Sequence, residues 1–248
     1  MIAVFAAMDG EVAACFGGTA PEPTSVVDGS PVIQSGDLVV CRTGIGRRSA
    51  AVAEAVLRQY EPHAALSVGI AGGLMTGLAV GDLVVCTHID HESHRHSAEE
   101  MSIFCDRELV RDAVAAATEL GFAVSEGSSL TVDEVAWGPA EKAAHHAWKK
   151  HEIVEMEGFW VAEAASKKGL PFLAVRTISD GALDSLPDLG VMRPDGTIDQ
   201  DKLLAYLREH PEAGVRLSEV ARNSRLALNN LATFLATFLP RIAQLAVR

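Results

Sequence analysis

"AALSVGIAGGLMTGLAVG" (64–81) decides the fold, because it carries no charge over a length sufficient to cross a bilayer. The same stretch holds five glycines, including the pair Gly72–Gly73, and glycine weakens a helix rather than extending it. It reads as a buried strand running into a glycine turn, so a membrane span is not expected. The run that follows, "DLVVCTHI" (82–89), is continuously apolar and reads as a second buried strand.

Working outward, the same pattern recurs. "IAVFAA" (2–7), "DLVVCRTG" (37–44), "ALSVGIAG" (65–72), "IVEMEG" (153–158) and "FLAVRTIS" (172–179) are short apolar runs. Continuous apolarity, rather than alternation, fits strands covered on both faces. Between them, 47–60, 108–120, 139–150 and 159–168 have helical periodicity, and Pro139 suits a first helical turn. This alternation predicts one α/β domain over 1–248, with a central mixed, largely parallel sheet and helices on both sides. Extra C-terminal helices are expected at 201–209 and 215–239, after a Gly-, Pro- and Asp-rich loop (181–200). The last helix reads as a packing or oligomer face.

The 248 residues carry a net charge of −12 and no lysine- or arginine-rich run, which argues against nucleic acid or anionic membranes as partners. A phosphate-bearing substrate remains compatible, because a pocket can differ in sign from the surface. Cys15, Cys41, Cys86 and Cys105 lie far apart, and a reduced, cytoplasmic protein is the simplest reading. The opening "MIAVFAAMDGE" is acidic and lacks the basic start of a signal peptide.

Three motifs invite chemistry. "TGIGRR" (43–48) sets a glycine turn between strand and helix, a device that brings backbone N–H groups to an anion. As a dinucleotide fingerprint it fails, because a third glycine would have to replace Ser49. "HIDHESHRH" (88–96) matches no metal-ligand spacing and has no companion cluster in the sequence, so it reads as a polar loop beside a site, without a metal. "IVEMEGFW" (153–160) sets Glu155 and Glu157 two residues apart, on one side of an extended chain. With Glu11 and Asp180, Glu157 makes three carboxylates at strand ends, where ligands of such sheets gather.

The segments "VGIAGGL…GDLVV", "VEMEG" and "PFLAVRTISDG", with the opening "AAMDGEV", resemble the purine nucleoside and uridine phosphorylase superfamily. Within it they are nearest to the 5′-methylthioadenosine/S-adenosylhomocysteine nucleosidases, over about residues 1–182. The resemblance implies that Asp180, with Ser179 before it, protonates the leaving purine and that Glu11 activates water. It implies that Glu157 grips the ribose hydroxyls and that Met156 packs under the sugar. Arg176 would lie near the acids, with Glu155 as its partner behind the site. Gly69, Ile70, Val135 and Ala136 fall among the substrate-binding positions. Asp180 would then need a raised pKa, supplied by burial and neighbouring acids. No cofactor or metal is implied, and a homodimer or larger oligomer is.

The departures matter. Ser67 stands where the hexameric phosphorylases have a phosphate-binding arginine, and Ile70 where the nucleosidases have serine. Arg47 and Arg48 offer charge, but outside the family phosphate site. Water is therefore the expected acceptor, releasing the base from a 5′-substituted adenine nucleoside. Phosphorolysis is the alternative, since the tail "PDLGVMRPDGTIDQDKLLAYLREHP" resembles the hopanoid-associated branch and an adenosylhopane-type substrate. A nucleoside-binding protein without catalysis, motivated by Ile70, is a second alternative, and a metal-dependent hydrolase using the histidine run a third.

Overall fold

Strand β5 (Ala64–Gly73) is where the sheet forks. One edge pairs in parallel with β10 (Phe172–Asp180), from Phe172↔Ala65 to Asp180↔Gly72. The other edge first pairs in parallel with β1 (Ile2–Ala6), then antiparallel with β9 (Ile153–Glu155) at Gly72 and Gly73. In this computed structural model, residues 1–96, 101–187, 190–191, 193–211 and 213–245 are described.

Beyond β1 lie β4 (Leu38–Arg42) and the hairpin β2 (Ser25–Val27) and β3 (Ser30–Ser35). On the other side β10 pairs antiparallel with β6 (Leu83–His91), which pairs in parallel with β8 (Val124–Thr131), itself parallel to β9. The path β5–β10–β6–β8–β9 returns to β5, closing five strands into a small barrel beside the open wing. The short β7 (Ile103–Phe104) pairs with β6. Antiparallel pairings come at β2–β3 and β3–β4, at β7 and where the barrel closes, so the sheet is mixed around a parallel centre.

Helices α2 (Arg48–Tyr60) and α5 (Gly158–Lys167) pack together on one side of the sheet. Helices α1 (Asp9–Ala14), α3 (Arg107–Glu119) and α7 (Ala213–Leu245) share the other. Helix α4 (Pro139–Ala147) leads into β9, and α6 (Gln200–Glu209) precedes α7.

Two expectations change, and two elements went unread. The Gly72–Gly73 pair is extended strand, not turn; the turn follows, and Gly81 takes φ +92° there. Strand "IVEMEG" stops at Glu155, and Glu157 stands at the position just before α5. Strand β8, "VSEGSSLT", went unread because its buried Ser128, Ser129 and Thr131 give it no apolar signature. The β2–β3 hairpin turns at Asp28 and Gly29, both at positive φ as a two-residue type I′ turn requires.

Helix α7 is long and apolar enough to cross a membrane. Its Leu231, Phe234, Leu235, Phe238 and Ile242 are instead buried against β10 and its neighbours, with the Phe234 and Phe238 rings stacked at 5.1 Å. It runs past the expected end at 239 and through Pro240, because Pro240 and Ala236 lie on the exposed face, where water can satisfy the Ala236 carbonyl left without a donor. Phe234→Ala should therefore cost about 3–5 kcal/mol in urea unfolding. A loss under about 1 kcal/mol would mean that α7 is not part of this core.

Candidate active site

Glu11 sits in the first turn of α1, just beyond the end of β1, and its side chain is buried. Its Oε2 accepts N–H groups from Ala7 (2.8 Å) and Met8 (3.0 Å), and Oε1 accepts the Ile70 N–H at 2.9 Å. A Cβ on Gly69 would overlap the Glu11 carboxylate, so β5 needs glycine there. Ile70 thus contributes its backbone N–H to this acid, a contact its side chain does not advertise. Burial lifts the Glu11 pKa above the ordinary carboxylate value, against the pull of the three N–H donors and Arg176.

Glu155 and Glu157 diverge as the strand turns into helix. Glu155 accepts from the Thr131 hydroxyl, from the N–H groups of Glu157 (3.1 Å) and Gly158 (2.6 Å), and from Arg176 (2.7 Å). Arg176, also buried, donates to the Ser67 carbonyl and hydroxyl, each at 2.8 Å, and to the Val175 carbonyl at 3.1 Å. Glu157 instead points to the glycine turn, where its Oε1 accepts the Gly46 N–H at 2.8 Å. The anion that "TGIG" receives is therefore the protein's own. Loss of hydration, reinforced by Glu155, pushes the Glu157 pKa up to about 8. A narrow cavity lies between Glu11, Thr43, Ser67, Gly69, Glu157 and Arg176.

Asp180 ends β10 next to the second critical glycine: a Cβ on Gly72 would lie 3.0 Å from its Oδ2. The expectation that acids surround Asp180 is corrected here. Its neighbour is the buried Lys142 of α4, whose Nζ donates to Asp180 Oδ2 and to the Gly181 carbonyl at 2.7 Å. The Ser179 hydroxyl lies 2.6 Å from Asp180 Oδ1. Lys142 went unread because a lysine in "PAEKAAHHA" looks like a solvated helical residue. Ala136 is buried in an apolar patch with Leu74, Leu130, Val132 and Val154, against which Met156 packs. Val154 touches the same Gly72 Cβ position as Asp180, so this patch adjoins the acid. Val135 is half-buried beside Ala136.

The tail reaches this region. The Pro194 carbonyl accepts the Ile45 N–H at 2.9 Å, and Gly196 approaches the Ala7 carbonyl too closely for any side chain. Arg47 lies over the Trp160 ring at 5.0 Å, and Arg48 reaches the Gly29 carbonyl. Of the histidine run, His91 and His94 pack on Phe159, whereas His88 faces Asp90 and His151.

The sequence profile of the phosphorylase superfamily matches residues 2–239. The chain belongs to the phosphorylase superfamily. Among curated relatives, the 5′-methylthioadenosine/S-adenosylhomocysteine nucleosidase of Shewanella loihica is 28% identical over 203 residues, 75% of this chain and 88% of that protein. Among solved structures, the nucleosidase of the same name from Helicobacter pylori, in complex with a pyrrolidine-based ligand, superposes with a TM-score of 0.74 at 20% identity, covering 97% of both chains. Futalosine hydrolase of Helicobacter pylori gives 0.71 at 19% identity, again over 97% of each chain. These superfamily structures share the α/β fold described above.

The raised pKa of Glu157 carries a stability signature. An unfolded glutamate titrates near about 4.3, so the native state is favoured below that pH and loses this advantage as pH rises toward about 8. Glu157→Gln keeps the acceptor for Gly46 but removes the titration. The melting-temperature difference, variant minus wild type, should grow steadily over that window. A difference flat with pH would contradict the assignment.

Proposed function

We propose that the chain cleaves the N-glycosidic bond of a 5′-substituted adenine nucleoside with water, releasing adenine. The carrying observation is the gathering of Glu11, Glu157 and Asp180 around the glycines of β5 and the cavity beside them. In this reading Glu11 takes a proton from the attacking water, its lifted pKa suiting it to that role. Glu157 accepts from the ribose hydroxyls, with Met156 beneath the sugar. As the bond breaks, positive charge builds on the sugar, and the surrounding carboxylates favour it. The purine leaves as a neutral base when Asp180 passes to its ring nitrogen a proton supplied by the Lys142 ammonium that donates to its carboxylate, with Ser179 fixing that carboxylate. Ala136 and Val135 line the base.

Water is preferred to phosphate because of Arg176. It is the cation that lines the cavity among the described residues, and its Nη1 and Nη2 groups donate to Ser67, Val175 and Glu155. The reading includes one domain over 1–248, the tail docked through α7, and a homodimer or larger assembly in the cytoplasm. Exposed Val215 and Leu226 on α7 offer apolar surface for assembly, and four free, buried cysteines suit a reducing compartment.

The test is adenine release from 5′-methylthioadenosine, S-adenosylhomocysteine and adenosylhopane, with and without phosphate. Release in phosphate-free buffer supports hydrolysis, strict phosphate dependence reassigns the acceptor, and no release from any substrate overturns the reading. Asp180→Asn should lower kcat by about 10²–10⁴-fold with the circular dichroism unchanged. Near-wild-type turnover would remove Asp180 from the reaction. Lys142→Met leaves a buried carboxylate unpaired and should cost about 3–5 kcal/mol in urea unfolding. A cost under about 1 kcal/mol would show that the pair is not formed.

A further inference from the structure

Away from the cavity, three side chains converge on one small space. His88 and Asp90 are alternate residues of β6, and His151 stands at the entry to β9, brought near by the parallel ladders through β8. His88 Nε2 lies 3.8 Å and His151 Nε2 3.6 Å from Asp90 Oδ2, and all three atoms fall within 4.8 Å of one another. Asp90 and His151 are fully buried, and Asp90 Oδ2 and His151 Nε2 have no hydrogen-bond partner among the described residues.

The surrounding hydrogen bonds assign both ring tautomers. The Thr87 hydroxyl has one hydrogen, which goes to the Gly127 carbonyl at 3.1 Å, so its oxygen receives the His88 Nδ1–H at 3.1 Å. The Ser128 hydroxyl donates to Glu152 Oε2 at 2.8 Å and receives the His151 Nδ1–H at 3.0 Å. Each ring therefore turns an Nε2 lone pair toward Asp90. Asp90 Oδ1 already accepts from Ser102 (2.8 Å) and Lys149 (2.9 Å), which leaves Oδ2 as the bare oxygen. Three lone pairs facing one another in a buried space repel unless something positive lies between them.

We propose that His88 Nε2, Asp90 Oδ2 and His151 Nε2 bind a divalent transition-metal cation of the zinc type. Ligands at 2.0–2.1 Å around a tetrahedral ion sit roughly 3.4 Å apart, so the two separations from Asp90 Oδ2 need only a small contraction. The two-nitrogen, one-oxygen donor set suits zinc, and each ligand carries the outer hydrogen bond that orients metal ligands. His88 is 31% exposed, which leaves an approach for the ion and for a water as fourth ligand. The ion would tie β6 to the turn between α4 and β9, where Lys149 and Lys150 both hold positive φ. The isolated spacing of the histidine run gave no metal pattern because His151 comes from a distant segment.

The full-length protein, stripped with chelator and dialysed, is titrated with ZnCl₂ and CoCl₂. One zinc per chain at submicromolar affinity is expected, with visible absorption from the cobalt form and a melting temperature that rises with zinc. His88→Gln, at the half-exposed ligand, should weaken zinc binding by at least about 10-fold, and His151→Gln should do the same. His94→Gln, outside the set, should leave stoichiometry and affinity unchanged. No stoichiometric binding of either metal by the wild type, or unaltered affinity in His88→Gln, overturns the proposal.

Discussion

Two carboxylates lie closer to strand β5 than any side chain on that strand would permit. Glu11 occupies the space of a Cβ on Gly69, and Asp180 crowds that of a Cβ on Gly72. Both acids are drawn against the same strand from different elements, α1 and β10. The barrel closure that brings β9 against Gly72 and Gly73 then delivers Glu155 and Glu157 to the same end. Gly158 repeats the device, because a Cβ there would lie 2.9 Å from Glu155. The uncharged "VGIAGG" is therefore a flat floor that lets charged groups stand close together.

Holding that many acids in one place requires compensation, and the structure divides it by location. Arg176 neutralises Glu155 from below, while Lys142 neutralises Asp180 from the side. Glu11 is served by backbone N–H groups, and Glu157 by a single one from Gly46. The least compensated acid is the one whose pKa is pushed to about 8. Donors from a sugar's hydroxyls would suit that acid, which ties the electrostatics to the proposed substrate. Tail residues 193–197 lie across the same turn, so the tail borders this acid.

Much of the architecture was legible because buried strands are apolar and helices amphipathic. What escaped was polar for a reason. Strand β8 lacks an apolar pattern because Ser128 and Thr131 point to Glu152 and Glu155 rather than into a hydrophobic core. Lys142 looks solvated in its helix, and only the fold reveals that α4 turns it inward onto Asp180. Of the candidate residues, Glu11, Glu157 and Arg176 share the cavity, while Asp180, Met156 and Ala136 lie along its neighbouring apolar patch. Glycine misled in one respect: the pair at 72–73 signals crowding by neighbours, not a change of direction.

Water as the nucleophile at a ribosyl carbon is the centre of the proposed reaction. Turnover of 5′-methylthioadenosine in ¹⁸O-enriched water with phosphate present tests this most directly. Mass analysis should find one ¹⁸O in the released sugar and adenine carrying none. A phosphorylated sugar without the label would contradict the account.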